Sequence, residues 1–242
     1  MDDVTGISIG LGGGAQQRLL LGRANRHGLI AGATGTGKTV TLQGLAEGFS
    51  AAGVPVFVAD VKGDLAGIAM PGSPTDKSHQ ALTDRAAEIG MADYSYGEYP
   101  TIFWDLYGEQ GHPVRTTISE MGPVLVARLL GLNEVQEGVL NIAFRIADEQ
   151  GLLLLNLDDL QAMLVHVAQD AANLTARYGN VAKPTVGAIQ RQILVLDAQG
   201  GSRFFGEPAL DIGDLLTLDA EGRGTINILA ADKLMASPKL YS

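Results

Sequence analysis

Short apolar segments alternate with glycine-rich turns in the first quarter of the chain. Residues 7–10 and 19–22 predict two short extended segments, and residues 28–31 predict a buried strand. A near-continuous apolar strand is predicted over residues 54–60, and the helix before it has apolar positions at helical spacing, namely Val40, Leu42, Leu45, Ala46 and Phe49. This strand–loop–helix–strand unit is the building block of a parallel sheet covered on both faces.

The next segment continues the mixed pattern. Residues 75–91 predict a helix, and residues 100–105 and 114–118 predict two further strands, with a His112-Pro113 turn between them.

Helical periodicity alone then runs from Met121 to about Gln199. Four helices are predicted, with start signals around Asn156 and Pro184 and stop signals at glycines, over residues 122–130, 133–150, 157–178 and 186–199. A strand pattern returns at residues 224–230. We therefore expect an α/β fold, with a mostly parallel sheet and an α-helical insertion. The expected boundaries are a core in residues 1–120, the insertion in 121–215 and a return to the core in 216–242.

Composition narrows the class of protein. The chain has 242 residues, of which 46% are hydrophobic and 18% charged, as in an ordinary globular domain. It has no cysteine, which excludes disulfides and thiolate metal sites. The acidic start, Met1-Asp2-Asp3-Val4, lacks the basic region of a signal peptide, and the longest apolar runs are too short to span a bilayer. We expect a cytoplasmic protein that makes no membrane contact.

One motif carries specific chemistry. The residues Gly32-Ala33-Thr34-Gly35-Thr36-Gly37-Lys38-Thr39 match the phosphate-binding pattern Gly-x-x-x-x-Gly-Lys-[Ser/Thr]. Its amides and the following helix dipole surround a β-phosphate, the lysine bridges the β- and γ-phosphates, and the threonine hydroxyl binds magnesium. Chance alone produces the pattern in roughly one such chain in a hundred, and here it follows a predicted strand and opens a predicted helix. The sequence therefore predicts a P-loop that binds ATP with Mg²⁺, with Lys38 in a catalytic role. The absence of an Asn-Lys-x-Asp guanine-reading motif favours ATP over GTP.

A magnesium carboxylate has two candidate positions. Asp60 ends the strand after the motif, so we expect it near the phosphates, as a magnesium ligand and catalytic residue. Asp197 also ends an apolar run, but its neighbours have helical spacing, so we expect it to lie in a helix away from the site. For Lys62, Gly63 and Asp64 a solvated turn and a role near the phosphates are equally favoured.

The remaining candidates carry less information. The four histidines have no metal-ligand spacing, and residues 10–14 lack the spacing of a dinucleotide-binding fingerprint. No local pattern marks an arginine finger among Arg115, Arg128, Arg145, Arg177, Arg191 and Arg203. The net charge of −10 weakens the case for a nucleic-acid-binding surface without removing it, because a ring can concentrate a few basic residues in its channel.

Four segments of the chain resemble the bacterial HerA-like ATPases, in particular the branch labelled "helicase HerA-like domain". They are residues 28–39, 58–67, 204–210 and 224–233. The resemblance covers nearly the whole chain, and it implies a RecA-type P-loop domain of the HerA/FtsK group, interrupted by a helical insertion. It also implies ATP hydrolysis, assembly into a homo-oligomeric ring and movement along DNA.

The sequence departs from the family pattern in one respect. The Walker B Asp-Glu pair normally follows the Ala-Ala-Asp-Lys-Leu segment, which here is residues 230–234. The resemblance thus implies that the 242 residues are the N-terminal portion of a longer protein, able to bind nucleotide but weak in hydrolysis. Two alternatives stay open: a translocase subunit whose main partner is nucleic acid, and a small-molecule kinase.

Overall fold

The computed structural model describes residues 6–91 and 94–241, which form a mixed α/β fold. A two-stranded antiparallel sheet and a four-stranded, all-parallel sheet of order β3-β6-β4-β5 are present. The strands are β1 (Gly6–Gly12), β2 (Ala15–Leu20), β3 (Val56–Asp60), β4 (Thr101–Asp105), β5 (His112–Pro113) and β6 (Ile226–Ala230). The expected α/β class with a parallel sheet is confirmed. The acidic start at Met1 to Val4 lies outside the described residues.

The helices of the described residues lie mostly in the second half of the chain. They are α1 (Lys38–Ala51), α2 (His79–Glu88), α3 (Ile118–Leu130), α4 (Glu134–Glu149), α5 (Leu157–Gln169), α6 (Ala171–Tyr178), α7 (Lys183–Ala198), α8 (Gly201–Phe204) and α9 (Pro238–Tyr241). None of them is both long and apolar enough to cross a bilayer.

The chain divides into two compact units. Unit 1 is Met1–Phe103 with Ile212–Leu229, and unit 2 is Trp104–Asp211 with Ala230–Ser242. The core of unit 1 is small and lies where α1 meets the parallel strands, with Ala46, Leu65, Ile68, Ile226 and Ile228 fully packed. The core of unit 2 is larger and consists of the inner faces of α3, α4, α5 and α7. This distribution follows from the helical periodicity of the second half, because its apolar positions fall on one face of each helix.

Local start and stop signals explain the long helices of unit 2. Asn133 and Asn156 cap α4 and α5 in reciprocal capping boxes with Gln136 and Asp159. The glycine at 131 ends α3 in the left-handed conformation, with φ 68°. The predicted helices over 122–130, 133–150 and 186–199 are confirmed. Residues 118–121 form a separate first turn of α3, because a kink at Gly122, with φ 72°, divides the helix there.

Three further predicted elements differ from the structure. The helix predicted over 157–178 is two helices, because Asp170 leaves the helical conformation and ends α5 as α6 begins. The helix predicted over 75–91 is limited to α2, since the Ser73 and Asp76 side chains hold residues 73–78 in turns. The predicted strand at 114–118 is absent, because Thr117 caps α3 in a capping box with Glu120. The His112-Pro113 turn is instead the short strand β5, parallel to β4.

The predicted strand over residues 28–31 is also wrong. The described residues from Ala24 to Gly37 form neither helix nor strand, and the side chain of Leu29 is 90% exposed. A strand requires a neighbour to receive its backbone hydrogen bonds, and β3 pairs with β6 in the sheet. A four-residue apolar run does not show whether a neighbouring strand is available to pair with it.

Candidate functional site

The glycine-rich segment of unit 1 forms a tight loop that leads into α1. Gly35 and Gly37 adopt left-handed backbone conformations, with φ 81° and 91°, which side-chain-bearing residues rarely adopt. Gly37 is the N-cap of α1, so the first turn of that helix starts at Lys38. The glycines of the motif therefore give the loop its shape, and the loop lies at the N-terminus of α1.

The loop closes on one of its own carbonyl groups. The oxygen of Ala33 accepts from Lys38 Nζ at 2.7 Å, from Thr36 Oγ1 at 2.8 Å and from the Thr36 amide at 3.4 Å. The Lys38 ammonium thus lies folded back over the loop rather than extended into solvent. An anion that enters the loop would take the place of the Ala33 carbonyl as the partner of Lys38.

Most amides of the loop remain available to such an anion. Among the described residues, the only bond that a loop amide makes to another loop carbonyl is that of Thr36. The N–H groups of Gly35, Gly37, Lys38 and Thr39 lie at the loop and in the first turn of α1, where a helix leaves its amides without internal partners. Free amides and the positive end of a helix dipole are features with which proteins commonly bind phosphate groups.

A carboxylate lies next to the threonine of the motif. Thr39 Oγ1 donates to Asp64 Oδ2 at 3.0 Å, and Gln43 Nε2 donates to the backbone carbonyl of Asp64 at 3.0 Å. Two successive turns of α1 therefore hold Asp64 beside the phosphate loop. Asp64 therefore lies in an exposed turn that contacts the motif, and its role near the phosphates stays a prediction.

Asp60 has a different environment, although it is the carboxylate that the strand pattern predicts. Its side chain is only 5% exposed, and Oδ1 accepts from the amides of Lys62 and Gly63 at 3.1 and 2.8 Å. Its Oδ2 accepts from the amide of Leu65 at 2.9 Å. Both oxygens build the turn that carries Asp64. A magnesium role for Asp60 stays a prediction, and the pattern that would have pointed to Asp64 is the Asp-x-x-Gly-Asp spacing after β3.

The donor set at Thr39 and Asp64 fits a magnesium ion. Mg²⁺ prefers oxygen ligands and is commonly held by one or two protein oxygens, with substrate phosphates and waters completing its shell. A hydroxyl and a carboxylate oxygen, 3.0 Å apart at the mouth of the phosphate loop, supply such ligands. No group of three or more His, Cys, Asp or Glu side chains suited to a metal occurs in residues 6–91 and 94–241. Such a group is not needed when substrate phosphates and waters supply most of the Mg²⁺ ligands.

Asp197 and the six candidate arginines lie in unit 2. Asp197 is in α7, as expected from its helical spacing, and accepts from the hydroxyl of Ser202. Three of the arginines are engaged in ion pairs within unit 2: Arg145 and Arg177 with Glu149, and Arg203 with Glu109.

One comparison with known proteins identifies the family of the chain. A family model described as "helicase HerA-like C-terminal" matches residues 11–242, which is nearly the whole sequence. The chain belongs to the HerA-like family. Comparison with curated proteins and with solved structures returns no match.

Membership of the HerA-like family gives the chain a coarse function. It indicates a function of the ATPase or helicase type. The resemblance found in the sequence is thereby confirmed. The α/β fold with a four-stranded parallel sheet agrees with a P-loop NTPase-like architecture.

Proposed function

We propose that this chain is the ATP-binding module of a HerA-like ATPase, which holds ATP and Mg²⁺ at residues 32–39 and hydrolyses the γ-phosphate. The observation that carries the proposal is the closed state of the loop, in which Lys38 Nζ lies 2.7 Å from the Ala33 carbonyl beside unpaired amides. A lysine so placed exchanges one oxygen partner for another without a large movement. Family membership supports the same function.

The residues at the end of the loop and the nearby Asp64 have distinct parts in binding. The amides of Gly35, Gly37, Lys38 and Thr39 donate to oxygens of the β-phosphate, with the dipole of α1 adding to the attraction. Lys38 leaves Ala33 and donates to the β- and γ-phosphates. Thr39 and Asp64 are the residues that would hold magnesium. The ion, when bound, offsets negative charge on the phosphate oxygens.

The proposed reaction is transfer of the γ-phosphoryl group to water. An oxygen–phosphorus bond forms between water and the γ-phosphorus, and the bond from that phosphorus to the β,γ-bridging oxygen breaks, giving ADP and inorganic phosphate. Lys38 stabilises the charge that develops on the γ-phosphoryl oxygens. Release of inorganic phosphate distinguishes this reaction from that of a small-molecule kinase, where the phosphoryl group appears on another acceptor.

DNA is the proposed macromolecular partner, in a homo-oligomeric ring. The proposal rests on family membership. Because the chain carries a net charge of −10, DNA contact must come from a few local basic residues, and DNA affinity should fall with rising salt. DNA affinity that does not change with salt would contradict phosphate-backbone contact.

Binding of a fluorescent ATP analogue tests the site directly. Lys38→Ala should lower the magnesium-dependent affinity by roughly a hundredfold or more, since it removes the charged partner of two phosphates. Lys77→Ala is the matched control, because it removes an exposed lysine of unit 1 outside the loop. Equal affinities for the two variants would refute the assignment of the site.

A further inference from the structure

Two turns of the chain share one construction. The segments Asp60-Val61-Lys62-Gly63-Asp64 and Asp105-Leu106-Tyr107-Gly108-Glu109 both follow Asp-x-x-Gly-acid spacing, and both come directly from the end of a parallel strand. The glycines, Gly63 and Gly108, have φ 72° and 67°. In each turn the first aspartate is buried and the acid after the glycine faces outward.

The buried aspartate builds the second turn as it builds the first. Asp105 is 2% exposed, and its carboxylate accepts from the amides of Tyr107, Glu109 and Gln110 at 2.9, 2.7 and 2.9 Å. This leaves Glu109 projecting from a rigid support, at the position that Asp64 has in the first turn. Asp64 contacts Thr39 of the glycine-rich loop, whereas Glu109 has its partners within unit 2.

Those partners are two cations from distant parts of the sequence. Arg203 Nη1 lies 3.3 Å from Glu109 Oε1, and Lys233 Nζ contacts Glu109 Oε2, so each carboxylate oxygen is taken by one cation. All three side chains are about half exposed. Ion pairs with that exposure contribute little to stability, because water competes for both partners. The cluster is therefore poorly explained as a stabilising device and is readily opened by a competing anion.

The cluster borders a cavity of about 550 Å³ within unit 2, and this cavity is largely open to solvent. The Arg203 guanidinium lies 5.9 Å from the centre of the Tyr107 ring, and the Tyr107 hydroxyl bonds with Ser237 Oγ at 2.9 Å. Ser202 also lines the cavity, as does Asp197, whose carboxylate is occupied by the Ser202 hydroxyl. A volume of this size is within the range of small-molecule sites and leaves room for an organic group beside a phosphate.

We propose that this cavity binds a phosphate ester, with its phosphate on Arg203 and Lys233 in place of the Glu109 carboxylate. Glu109 is the internal counter-ion that keeps the two cations together until the ligand enters. A phosphate dianion brings two negative charges to two cations, whereas Glu109 brings one, so each cation gains a full counter-charge in the exchange. The organic part of the ester lies along the Tyr107 ring and the serine hydroxyls.

Titration calorimetry with AMP and with inorganic phosphate tests the proposal. The Lys38→Ala variant is used in the absence of magnesium, so that the phosphate loop does not contribute. AMP should bind more tightly than inorganic phosphate. Arg203→Gln with Lys233→Gln should weaken AMP binding by roughly tenfold or more, and Glu109→Gln should strengthen it by roughly threefold to tenfold. Arg145→Gln, which removes an exposed, ion-paired arginine of α4, is the matched control and should change nothing.

Several results would overturn the proposal. One is absence of AMP binding in the Glu109→Gln variant, and another is equal affinity for AMP and inorganic phosphate. A third is a loss of AMP affinity with Arg145→Gln equal to the loss with Arg203→Gln and Lys233→Gln. Binding of an oligonucleotide but not of AMP would also overturn it. Repeating the titration in the otherwise wild-type chain removes dependence on the folding of Lys38→Ala. As an independent readout, AMP should protect Lys233 from amine acylation, measured by mass spectrometry, and unchanged acylation would contradict the proposed contact.

Discussion

Thr39 Oγ1 of the glycine-rich loop donates a 3.0 Å hydrogen bond to Asp64 Oδ2, so a carboxylate that contacts the motif is four residues beyond the strand-end aspartate. Asp64 is held there by its own backbone as well, because its carbonyl accepts from Gln43 Nε2. The proposal that Thr39 and Asp64 hold magnesium therefore rests on the turn after β3 and not on the strand pattern alone.

Asp64→Asn tests that assignment. We expect the affinity for ATP to fall roughly tenfold when magnesium is present, because one charged oxygen ligand is lost. Affinity without magnesium should be unchanged. Asp84→Asn, on α2, is the control, since it removes an exposed carboxylate that accepts from Gln80. Equal effects of Asp64→Asn with and without magnesium, in a fluorescence titration, would argue against a metal role.

Asp60→Asn should act mainly on stability. The asparagine keeps one acceptor oxygen but loses the charge and one of the two oxygens that receive the amides of Lys62, Gly63 and Leu65. We expect urea unfolding to show a loss of about 1–3 kcal/mol. A variant of native stability that no longer responds to magnesium would instead make Asp60 the metal ligand predicted from the sequence.

Gly32→Ala tests the packing of the loop. A Cβ at this position would lie 2.4 Å from Thr36 Oγ1, so the threonine must give up its bond to the Ala33 carbonyl. ATP affinity should fall roughly tenfold. Adding Thr36→Ala should recover part of the loss, and no recovery would show that the clash is not the cause.

Gly44→Ala tests a glycine at which an added Cβ would meet no clash, in contrast to Gly32. This residue lies on an exposed part of α1 with open space around it, so an alanine should stabilise the helix by about 0.5–1 kcal/mol and leave ATP affinity intact. A loss of stability, measured by urea unfolding, would mean that α1 is not a regular helix at this point.

Asp105 should make unit 2 sensitive to acid. Burial alone would raise the pKa of its carboxyl, but the amides of Tyr107, Gln110 and Glu109, with the Lys233 ammonium nearby, hold the pKa below its usual value. A lowered folded-state pKa stabilises the fold above the unfolded pKa of about 3.9, and this contribution is lost as the pH falls through the folded value. The free energy of unfolding should therefore decline below about pH 4.

Asp105→Asn separates this residue from the other carboxylates. The variant should be less stable than the wild type by about 1–3 kcal/mol at pH 7, with a smaller further loss between about pH 5 and pH 3. Identical pH dependence of the two proteins, followed by urea unfolding, would show that Asp105 does not contribute to the acid sensitivity.

The parts of the fold that follow from local signals could be predicted from the sequence. The caps Asn133 and Asn156 and the glycine stops mark helix ends by hydrogen bonds made within a few residues. The Thr117-x-x-Glu120 box carried the same signal, although the β-branched residues around it favoured a strand. Residues 28–31 show the limit, because strand formation depends on a partner elsewhere in the chain.

The candidate site was also predictable only where it depends on local sequence signals. The motif places Lys38 and Thr39 at the start of a helix because its glycines and spacing require it. The buried position of Asp60 depends on three backbone amides turning inward toward its carboxylate, which the apolar-strand pattern does not encode. The pairing of Glu109 with Arg203 and Lys233 joins residues about a hundred positions apart and needs the fold.

The central claim, that residues 32–39 hold ATP with magnesium, is tested most directly by titrating the wild-type chain and Lys38→Ala with ATP, each with magnesium and with a chelator. We predict that the wild type shows a binding component that requires magnesium, and that Lys38→Ala lacks this component while Lys77→Ala retains it. A magnesium-dependent component of the same affinity in Lys38→Ala would contradict the account.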